Sequence, residues 1–373
     1  MQVQADHNKQ KTEKSLFALY VLTAGALAGA PLIGVVATGQ PIARYLEFPP
    51  LTRYVQHEPF NGAVFVIGAV FFMLVVLFVG SILFQSRLQR KPRKKRTLPW
   101  WGWLGLVLVG CSWVLAWNRF PWFSDMQVYT FTPLWLGYIL SVNAFTRQRS
   151  GTCLMTRRPG RFLLLFPVSA VFWWYFEWLN RFVQNWYYVG IEDFSALGYV
   201  LHATLCFSTV LPAVIGTCEL LAVMLPGPVI SGPRLRLFSG VWGGWWLLGG
   251  MSCVLAGLAL APDLLFPFVW VAPLLCLCGL QLIRDRHTLF TPLARGNWRP
   301  ILIPALAALI CGFFWELWNW KSLAHWEYSI PYVDRYHLFA MPILGYLGYL
   351  PFGLQCRMIA SEFSGRDRFL RFE

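Results

Sequence analysis

Charged residues are scarce in this sequence. Only 13% of the 373 residues are Asp, Glu, Lys or Arg, whereas a soluble globular protein carries about 25%. Hydrophobic residues make up 57% of the chain, and the mean hydropathy is +0.51. Because an apolar run of about 20 residues can cross a bilayer as a helix, we predict an all-α, polytopic integral membrane protein. About ten transmembrane helices are expected, at about residues 16–37, 62–84, 100–117, 128–145, 162–180, 196–224, 238–260, 264–283, 300–318 and 338–359.

Familiar catalytic and metal-binding patterns are also missing. The nine cysteines are scattered and form no Cys-x-x-Cys pair, which argues against a disulfide framework or a thiolate metal site. The sequence contains no Walker loop, dinucleotide-binding fingerprint, Gly-x-Ser-x-Gly or His-Glu-x-x-His motif. We therefore expect no metal and no cofactor, and neither ATP-driven work nor a common hydrolase mechanism is indicated.

The net charge of +14 does not indicate a nucleic-acid partner, because of where the basic residues lie. Basic loops stay on the cytoplasmic side of a membrane, and with ten spans every basic segment falls on one side. We therefore predict a multi-pass protein of the bacterial inner membrane with both termini in the cytoplasm and the first span retained as a signal anchor. The basic segments, which we expect to meet anionic lipid headgroups, are residues 87–96, 147–161, 234–236, 284–299 and 366–371.

Much of the chain is duplicated. The interval from Glu177 to Glu316 equals the interval between the Leu-Pro pairs that begin at Leu211 and Leu350, and we call it the repeat interval. Since each copy has four predicted spans, both copies insert the same way up, and such parallel repeats are related by an axis along the membrane normal. We expect a two-helix N-terminal addition with a basic cytoplasmic linker in residues 1–95, membrane repeat A in 96–231, and membrane repeat B with a cytoplasmic tail in 232–373.

The third span of each copy ends in a carboxylate, an amide and a group of aromatic side chains. Residues at i and i+3 share a helix face, so Glu177 with Asn180, and Glu316 with Asn319, form two acid–amide pairs. A carboxylate at membrane depth is costly unless it is paired or faces the protein interior, which makes the two glutamates candidate catalytic residues. The candidate ligand-binding residues are Asn180, Trp186, Tyr188, Trp315, Trp318, Asn319, Trp326 and Tyr328.

A purely structural interpretation of these clusters stays open. Trp and Tyr collect at membrane interfaces, where their rings lie at the level of the lipid headgroups. A glutamate near a helix end can be solvated, or can pair with a loop arginine such as Arg181 or Arg335. The recurrence of Glu, Asn, Trp and Tyr in the same order favours function, because interfacial aromatic residues alone do not require an acid and an amide at that helical spacing.

The last predicted span is interrupted by helix-breaking residues. Residues 339–353 contain two prolines and three glycines, and backbone groups freed at membrane depth are tolerated only where protein or a water-filled cavity satisfies them. The same region of copy A is less interrupted, which favours a working site in copy B, but whether one or both copies carry a site stays open. The alternative is a kinked, tightly packed span.

The order of residues around Glu316 resembles the lycopene cyclase domain of bacteria and archaea, a small helical repeat used in pairs. The matching residues are Trp315-Glu316, Trp326-Glu327-Tyr328 and Met341-Pro342, and they cover only part of each copy. This resemblance implies an isoprenoid or pigment ligand. Where the family has Pro-x-Glu-Glu, this chain reads Pro342-Ile343-Leu344-Gly345. The chain also resembles uncharacterised multi-span bacterial proteins with repeated Trp-Glu-x-x-Asn blocks, from which no function follows.

Three functions are compatible with these patterns. The first is a membrane protein that binds or modifies a lipid or isoprenoid at an outer-leaflet site, with Glu316 as proton donor or acceptor and Asn319 as its orienting partner. The second is a structural or assembly subunit of a larger membrane protein complex, and the third is a secondary transporter. The expected partners are membrane lipids, an isoprenoid or pigment ligand, and proteins of a membrane complex.

Overall fold

A computed structural model of the protein describes residues 2–50, 52–86, 96–225 and 227–363. The chain is mostly helical, with 71% helix and few strands. Seven segments in these ranges are long and apolar enough to cross a membrane, which indicates a membrane protein. They are Leu16–Ala37, Gly62–Phe84, Trp100–Trp117, Pro159–Val183, Ala196–Met224, Phe268–Asp285 and Arg299–Asn319.

The described residues form helices joined by short connections and four short strands. The helices are α1 (Gln2–Ala37), α2 (Ala43–Leu46), α3 (Gly62–Ser86), α4 (Trp100–Trp117), α5 (Phe131–Ser150), α6 (Leu154–Arg157), α7 (Pro159–Val183), α8 (Ala196–Phe207), α9 (Val210–Met224), α10 (Gly240–Gly257), α11 (Pro262–Leu265), α12 (Phe268–Asp285), α13 (Arg299–Asn319) and α14 (Tyr349–Phe363). The strands are β1 (Trp186–Val189), β2 (His325–Tyr328), β3 (His337–Leu338) and β4 (Met341–Pro342), and 3₁₀ segments occupy Pro121–Tyr129, Thr291–Arg295 and Ile343–Gly348.

Three predicted spans are not among the seven apolar segments. Helix α5 ends in Arg147 and Arg149, and α10 is rich in glycine and tryptophan, so both are less apolar than the others. The region predicted as one span over 338–359 contains β3, β4 and a 3₁₀ segment, and only α14, of 15 residues, belongs to a regular helix. Pro342, which lacks the amide N–H that a helix interior requires, lies where this region leaves the strand β4.

Two helix pairs pack with their backbones in close approach. In the first, α4 lies on α5, where a Cβ added to Gly105 would be 2.9 Å from the Gly137 carbonyl oxygen. In the second, α10 lies on α12, where a Cβ added to Gly244 would be 2.8 Å from the Gly279 carbonyl oxygen. Small residues permit such contacts inside a membrane. Gly105 and Gly244 are separated by the repeat interval, as the two candidate glutamates are.

An aromatic core lies between these pairs, where α7, α9, α13 and α14 pack together. Trp135, Phe176 and Phe352 are almost fully buried in it. Phe176 stacks on Trp270 of α12 with ring centroids 5.1 Å apart. Because large aromatic side chains bury much apolar area and pack in defined geometries, this core holds the ends of α7 and α13 in fixed positions.

Helices α7 and α13 both end at a two-stranded sheet formed by β1 and β2, and we call this part of the molecule the sheet end. The segment over residues 38–61, which joins α1 to α3, crosses the sheet end and contacts it through Tyr54, whose ring meets that of Tyr187 edge-on at 5.7 Å. The predicted basic linker at 87–95 and the predicted tail at 364–373 lie outside the described residues.

Candidate functional site

The two copies of the Trp-x-Tyr motif meet in one antiparallel sheet. Trp186 lies opposite Tyr328, and Tyr188 lies opposite Trp326. Alternate residues of a strand face the same side, so these four candidate residues project from one face of the sheet. The pairing is symmetric about the central pair, because the first residue of each motif faces the last residue of the other.

The first of two acid centres, which we call centre A, is built around Glu177. Its Oε1 atom accepts hydrogen bonds from Trp173 Nε1 at 2.9 Å, Trp186 Nε1 at 3.1 Å and the Tyr188 hydroxyl at 2.6 Å. The side chain is fully buried. Its Oε2 atom has no hydrogen-bond partner within the part of the chain that the structure describes. One carboxylate oxygen is thus fully occupied and the other is not.

The second acid centre, centre B, is built around Glu316 and is equally buried. Its Oε1 atom accepts hydrogen bonds from the hydroxyls of Tyr328 at 2.7 Å and Tyr349 at 2.8 Å. Trp326 Nε1 donates to the Tyr328 hydroxyl at 2.8 Å, so the indole supports the acid through a phenol. As in centre A, Oε2 has no partner among the described residues.

Neither acid is solvated or paired with an arginine, as the structural interpretation of the sequence allowed. Arg181 instead donates to the Arg44 carbonyl oxygen and pairs with Glu47 at 3.0 Å. The guanidinium of Arg335 lies over the ring of Phe60, 4.5 Å from its centroid. Both glutamates are therefore held by aromatic donors, and loop cations do not reach them.

The two asparagines do not orient the glutamates. Asn319 donates through Nδ2 to the Trp326 carbonyl oxygen at 2.7 Å and accepts from the Trp326 amide at 2.8 Å. Asn180 likewise donates to the Trp186 carbonyl oxygen at 2.7 Å and accepts from the Asn185 amide at 2.8 Å. The expected role of Asn319 as the orienting partner of Glu316 is wrong in this structure, because both hydrogen-bonding atoms of its amide are used to hold the strand backbone.

Trp315 and Trp318 have different surroundings. The ring of Trp315 stacks on that of Tyr349 with centroids 6.0 Å apart and forms part of a cavity wall. Trp318 is 2% exposed and packs in the core against Trp135 and Trp113. Trp318 lies away from the cavity, and its buried Nε1 atom has no hydrogen-bond partner among the described residues.

A large apolar cavity adjoins both acid centres. Its volume is about 1020 Å³, at the upper end of the range of ligand pockets. Five of the ten candidate site residues line it, whereas the glutamates stand one side chain behind its wall. The five are Trp186, Tyr188, Trp315, Trp326 and Tyr328.

The cavity is elongated and uncharged over most of its length. It follows α13 from Ile301 to Trp315, a distance of about 21 Å at a rise of 1.5 Å per residue. None of its described lining residues is a lysine or an arginine. The one carboxylate in the described lining, Asp263, lies 2.6 Å from His57 Nδ1. An apolar chain therefore fits this space better than a charged group does.

Helix α3 forms one long side of the cavity but contacts the rest of the protein mainly near its two ends. Near one end, a Cβ on Gly68 would lie 2.7 Å from the Leu344 side chain. Near the other end, the ring of Phe78 meets that of Trp298 edge-on at 4.9 Å. Phe71 and Val75, between these contacts, face the cavity. The cavity therefore lies between α3 and α13, two helices that are long and apolar enough to cross a membrane.

The segment over residues 38–50 and 52–61 packs against the sheet end and against Asp263, a residue of the cavity wall. His57 Nε2 contacts the Gln184 carbonyl oxygen at 3.2 Å, and Ser329 Oγ donates to the Val55 carbonyl oxygen at 2.8 Å. The Glu58 amide donates to Asp263 at 3.2 Å. Sequence reasoning missed these contacts, because no pattern in residues 38–61 points to the sheet end.

The phenols of the sheet that hold the two acids remain protonated at ordinary pH. Burial, with the neighbouring Glu177 carboxylate, raises the pKa of Tyr188 well above its usual value. Burial and the Glu316 carboxylate do the same to the pKa of Tyr328. A neutral phenol can donate one hydrogen bond and accept others, so both side chains serve as donors to the acids. Among the described residues, no group of three His, Cys, Asp or Glu side chains could hold a metal ion.

Comparison with protein-family models, with curated proteins and with solved structures finds no match to this chain. The resemblance to the lycopene cyclase domain therefore stays a prediction, and the function has to be argued from the site itself.

Proposed function

We propose that this protein binds a lipid or isoprenoid-type ligand, and acts on it where an acid is required, in the cavity beside the two acid centres. The proposal rests on one observation, which is that the same side chains contact the acids and the cavity. The aromatic side chains that hold the buried glutamates also line an apolar cavity of about 1020 Å³. A pocket of apolar walls with a few converging polar groups is the usual form of a small-molecule site.

The chemistry of the wall favours a neutral ligand with a long apolar part. Lysine and arginine do not occur among the described lining residues, so an anionic headgroup would find no counter-charge there. Aromatic faces stabilise positive charge that develops on a bound molecule, and a buried carboxyl group can act as a general acid. Glu316 would exchange protons with the ligand through Tyr328 or Tyr349, because both tyrosines line the cavity and donate to the acid.

The same proposal includes a topology. Ten crossings, with both termini in the cytoplasm of a bacterium and two repeats inserted the same way up, put the sheet end at the outer face of the inner membrane. Exposed tryptophans occur near the start of α4 and of α10, at Trp100 and Trp242, and beyond the end of α4, at Trp122. Such residues favour membrane interfaces. Reporter fusions at residues 151 and 190 test this topology, which requires opposite sides for the two positions.

The binding proposal is tested by filling the cavity. Ala305 lines it and is 7% exposed, so Ala305→Trp places an indole in the ligand space. The matched control is Val171→Trp, because Val171 is 73% exposed on α7 and is not part of the cavity wall. Native mass spectrometry of protein purified in mild detergent should find a retained lipid in the wild type and in Val171→Trp, and none in Ala305→Trp. Equal retention by all three proteins would contradict the proposal.

The assembly-subunit alternative is favoured by one observation. Most of α3 is exposed, and several of its large apolar side chains, such as Ile67 at 71% and Leu77 at 60%, face away from the protein. Another membrane protein could cover this face, as could lipid. Purification in mild detergent distinguishes the two, because an assembly subunit requires a stoichiometric protein partner whose retention depends on α3.

A further inference from the structure

The two acid centres differ at one pair of corresponding positions. One turn before Glu177 is Trp173, which donates to the acid from the same helix. One turn before Glu316 is Gly312, and the corresponding hydrogen bond comes from Tyr349, at the start of α14. By the repeat interval, Tyr349 corresponds to Val210. The large donor and the small residue have thus exchanged places between the two copies.

This exchange requires a glycine in copy B. A Cβ on Gly312 would lie 2.4 Å from two ring atoms of Tyr349, a separation that no real contact reaches. The ring of Tyr349 therefore occupies the space that a side chain at position 312 would fill. In centre A the donor Trp173 is itself a residue of α7, the helix that carries Glu177, so no side chain from another helix is needed there.

The exchange also changes what each centre offers to a ligand. An indole N–H only donates hydrogen bonds, whereas a phenol hydroxyl both donates and accepts. Centre A holds its acid with two indoles and one phenol. Centre B holds its acid with two phenols, and both Tyr328 and Tyr349 line the cavity. Of the two centres, centre B is therefore the one in which two tyrosines both line the cavity and donate to a buried carboxyl group.

Tyr349 and Trp173 lie in different parts of their helices. Tyr349 follows directly on the 3₁₀ segment Ile343–Gly348, at the start of α14. Within that segment, Leu344 lies against Gly68 of α3 at the side of the cavity. Trp173, in contrast, lies in the middle of the regular helix α7.

We propose that centre B recognises a hydroxyl group at the end of a long-chain, uncharged ligand, with Tyr349 as the residue that contacts it, and that centre A is a fixed support for the sheet. The inference rests on the proposed function, because it says which residue contacts the polar end of the ligand that the cavity binds. The chain of the ligand lies along α13 towards Ile301, and its hydroxyl donates to the Tyr349 oxygen, because the proton of Tyr349 is donated to Glu316.

The test compares an alcohol with the matching hydrocarbon. Wild-type protein and variants in phosphatidylcholine nanodiscs are loaded with tritiated hexadecanol, and unlabelled hexadecanol or hexadecane competes for the site. Tyr349→Phe keeps the ring and removes only the hydroxyl. This variant should bind hexadecanol with an affinity about tenfold lower, because one hydrogen bond is lost. Its affinity for hexadecane should be unchanged. Tyr175→Phe is the control, because the Tyr175 hydroxyl donates to the Leu27 carbonyl oxygen away from the cavity wall.

Centre A is tested with Tyr188→Phe, which removes its phenol. The expected result is a parallel change in the affinities for hexadecanol and hexadecane, so that their ratio stays that of the wild type. The inference is overturned if Tyr349→Phe keeps the wild-type ratio, or if Tyr188→Phe lowers the ratio as much as Tyr349→Phe does. Wild-type protein that binds neither compound would instead refute the proposed function, and the inference with it. Retained binding of hexadecane by each variant shows that the variant is folded.

Discussion

Replacing Gly312 by alanine tests the geometry of centre B without changing any polar group. In an ordinary helix interior, glycine to alanine is stabilising by about 0.5–1 kcal/mol. Here the new methyl group would lie 2.4 Å from the ring of Tyr349, so the ring has to move. Its hydroxyl then loses the 2.8 Å hydrogen bond to Glu316, and its ring loses the stack on Trp315.

The magnitude follows from these opposing effects. A hydrogen bond to a buried acid contributes about 1.5–3 kcal/mol, and overpacking a filled core costs about 1–3 kcal/mol. Subtracting the helix preference of alanine leaves a net loss of about 2–5 kcal/mol. The control is Gly110→Ala in α4, because a Cβ there meets nothing within 4 Å. This control variant should be slightly more stable than the wild type.

The assay is reversible unfolding in mixed detergent micelles, followed by tryptophan emission. A double-mutant cycle with Tyr349→Phe separates the hydrogen bond from the steric term. Once the hydroxyl is absent, Gly312→Ala should cost about 1.5–3 kcal/mol less than it does in the wild type. The reasoning is refuted if Gly312→Ala is as stable as Gly110→Ala, or if the two substitutions in the cycle are simply additive.

Two further predictions concern the sheet. Asn319→Ala leaves the amide and carbonyl of Trp326 without their side-chain partners and should cost about 1–3 kcal/mol of unfolding free energy. Burial and the hydrogen bond to Glu327 raise the pKa of Tyr187 from 10.0 to about 12, so the unfolded chain loses this proton first as the pH rises. The folded state should therefore lose stability between about pH 10 and pH 12. The unfolding midpoint of Tyr187→Phe, measured against pH, should fall less than that of the wild type over this range. A variant with the pH profile of the wild type would contradict the assignment.

Features that depend on local chemistry could be predicted from the sequence. The burial of Glu177 and Glu316 follows from the cost of a carboxylate inside an apolar run, and aromatic donors were available within a few turns of each. The interruption near Pro342 likewise follows from a missing amide N–H and neighbouring glycines. In these cases the residues that determine the outcome lie close to one another along the chain.

The pairing of β1 with β2 could not be predicted in the same way. It joins Trp186 to Tyr328, and each strand has only four residues, too few for an alternating pattern to be recognised. The prediction that Asn319 orients Glu316 was wrong for a related reason. Its spacing from Glu316 places both on one helix face, but Asn319 is the last residue of α13, where the chain turns back and presents unpaired backbone groups.

The position of the segment over residues 38–61 also depends on contacts between residues that are far apart in the sequence. His57 pairs with Asp263, which lies in a distant part of the sequence, and neither residue belongs to a motif. A histidine and an aspartate in separate parts of the chain carry no sign of their pairing, because only the packing of the helices brings them together.

The most direct test of the central claim is an experimental density map of the protein in lipid nanodiscs containing hexadecanol. The proposal predicts a continuous elongated density between α3 and α13, with one end within hydrogen-bonding distance of the Tyr349 hydroxyl. A map in which α3 packs directly against α13, leaving no space beside Trp315 and Tyr328, would contradict it.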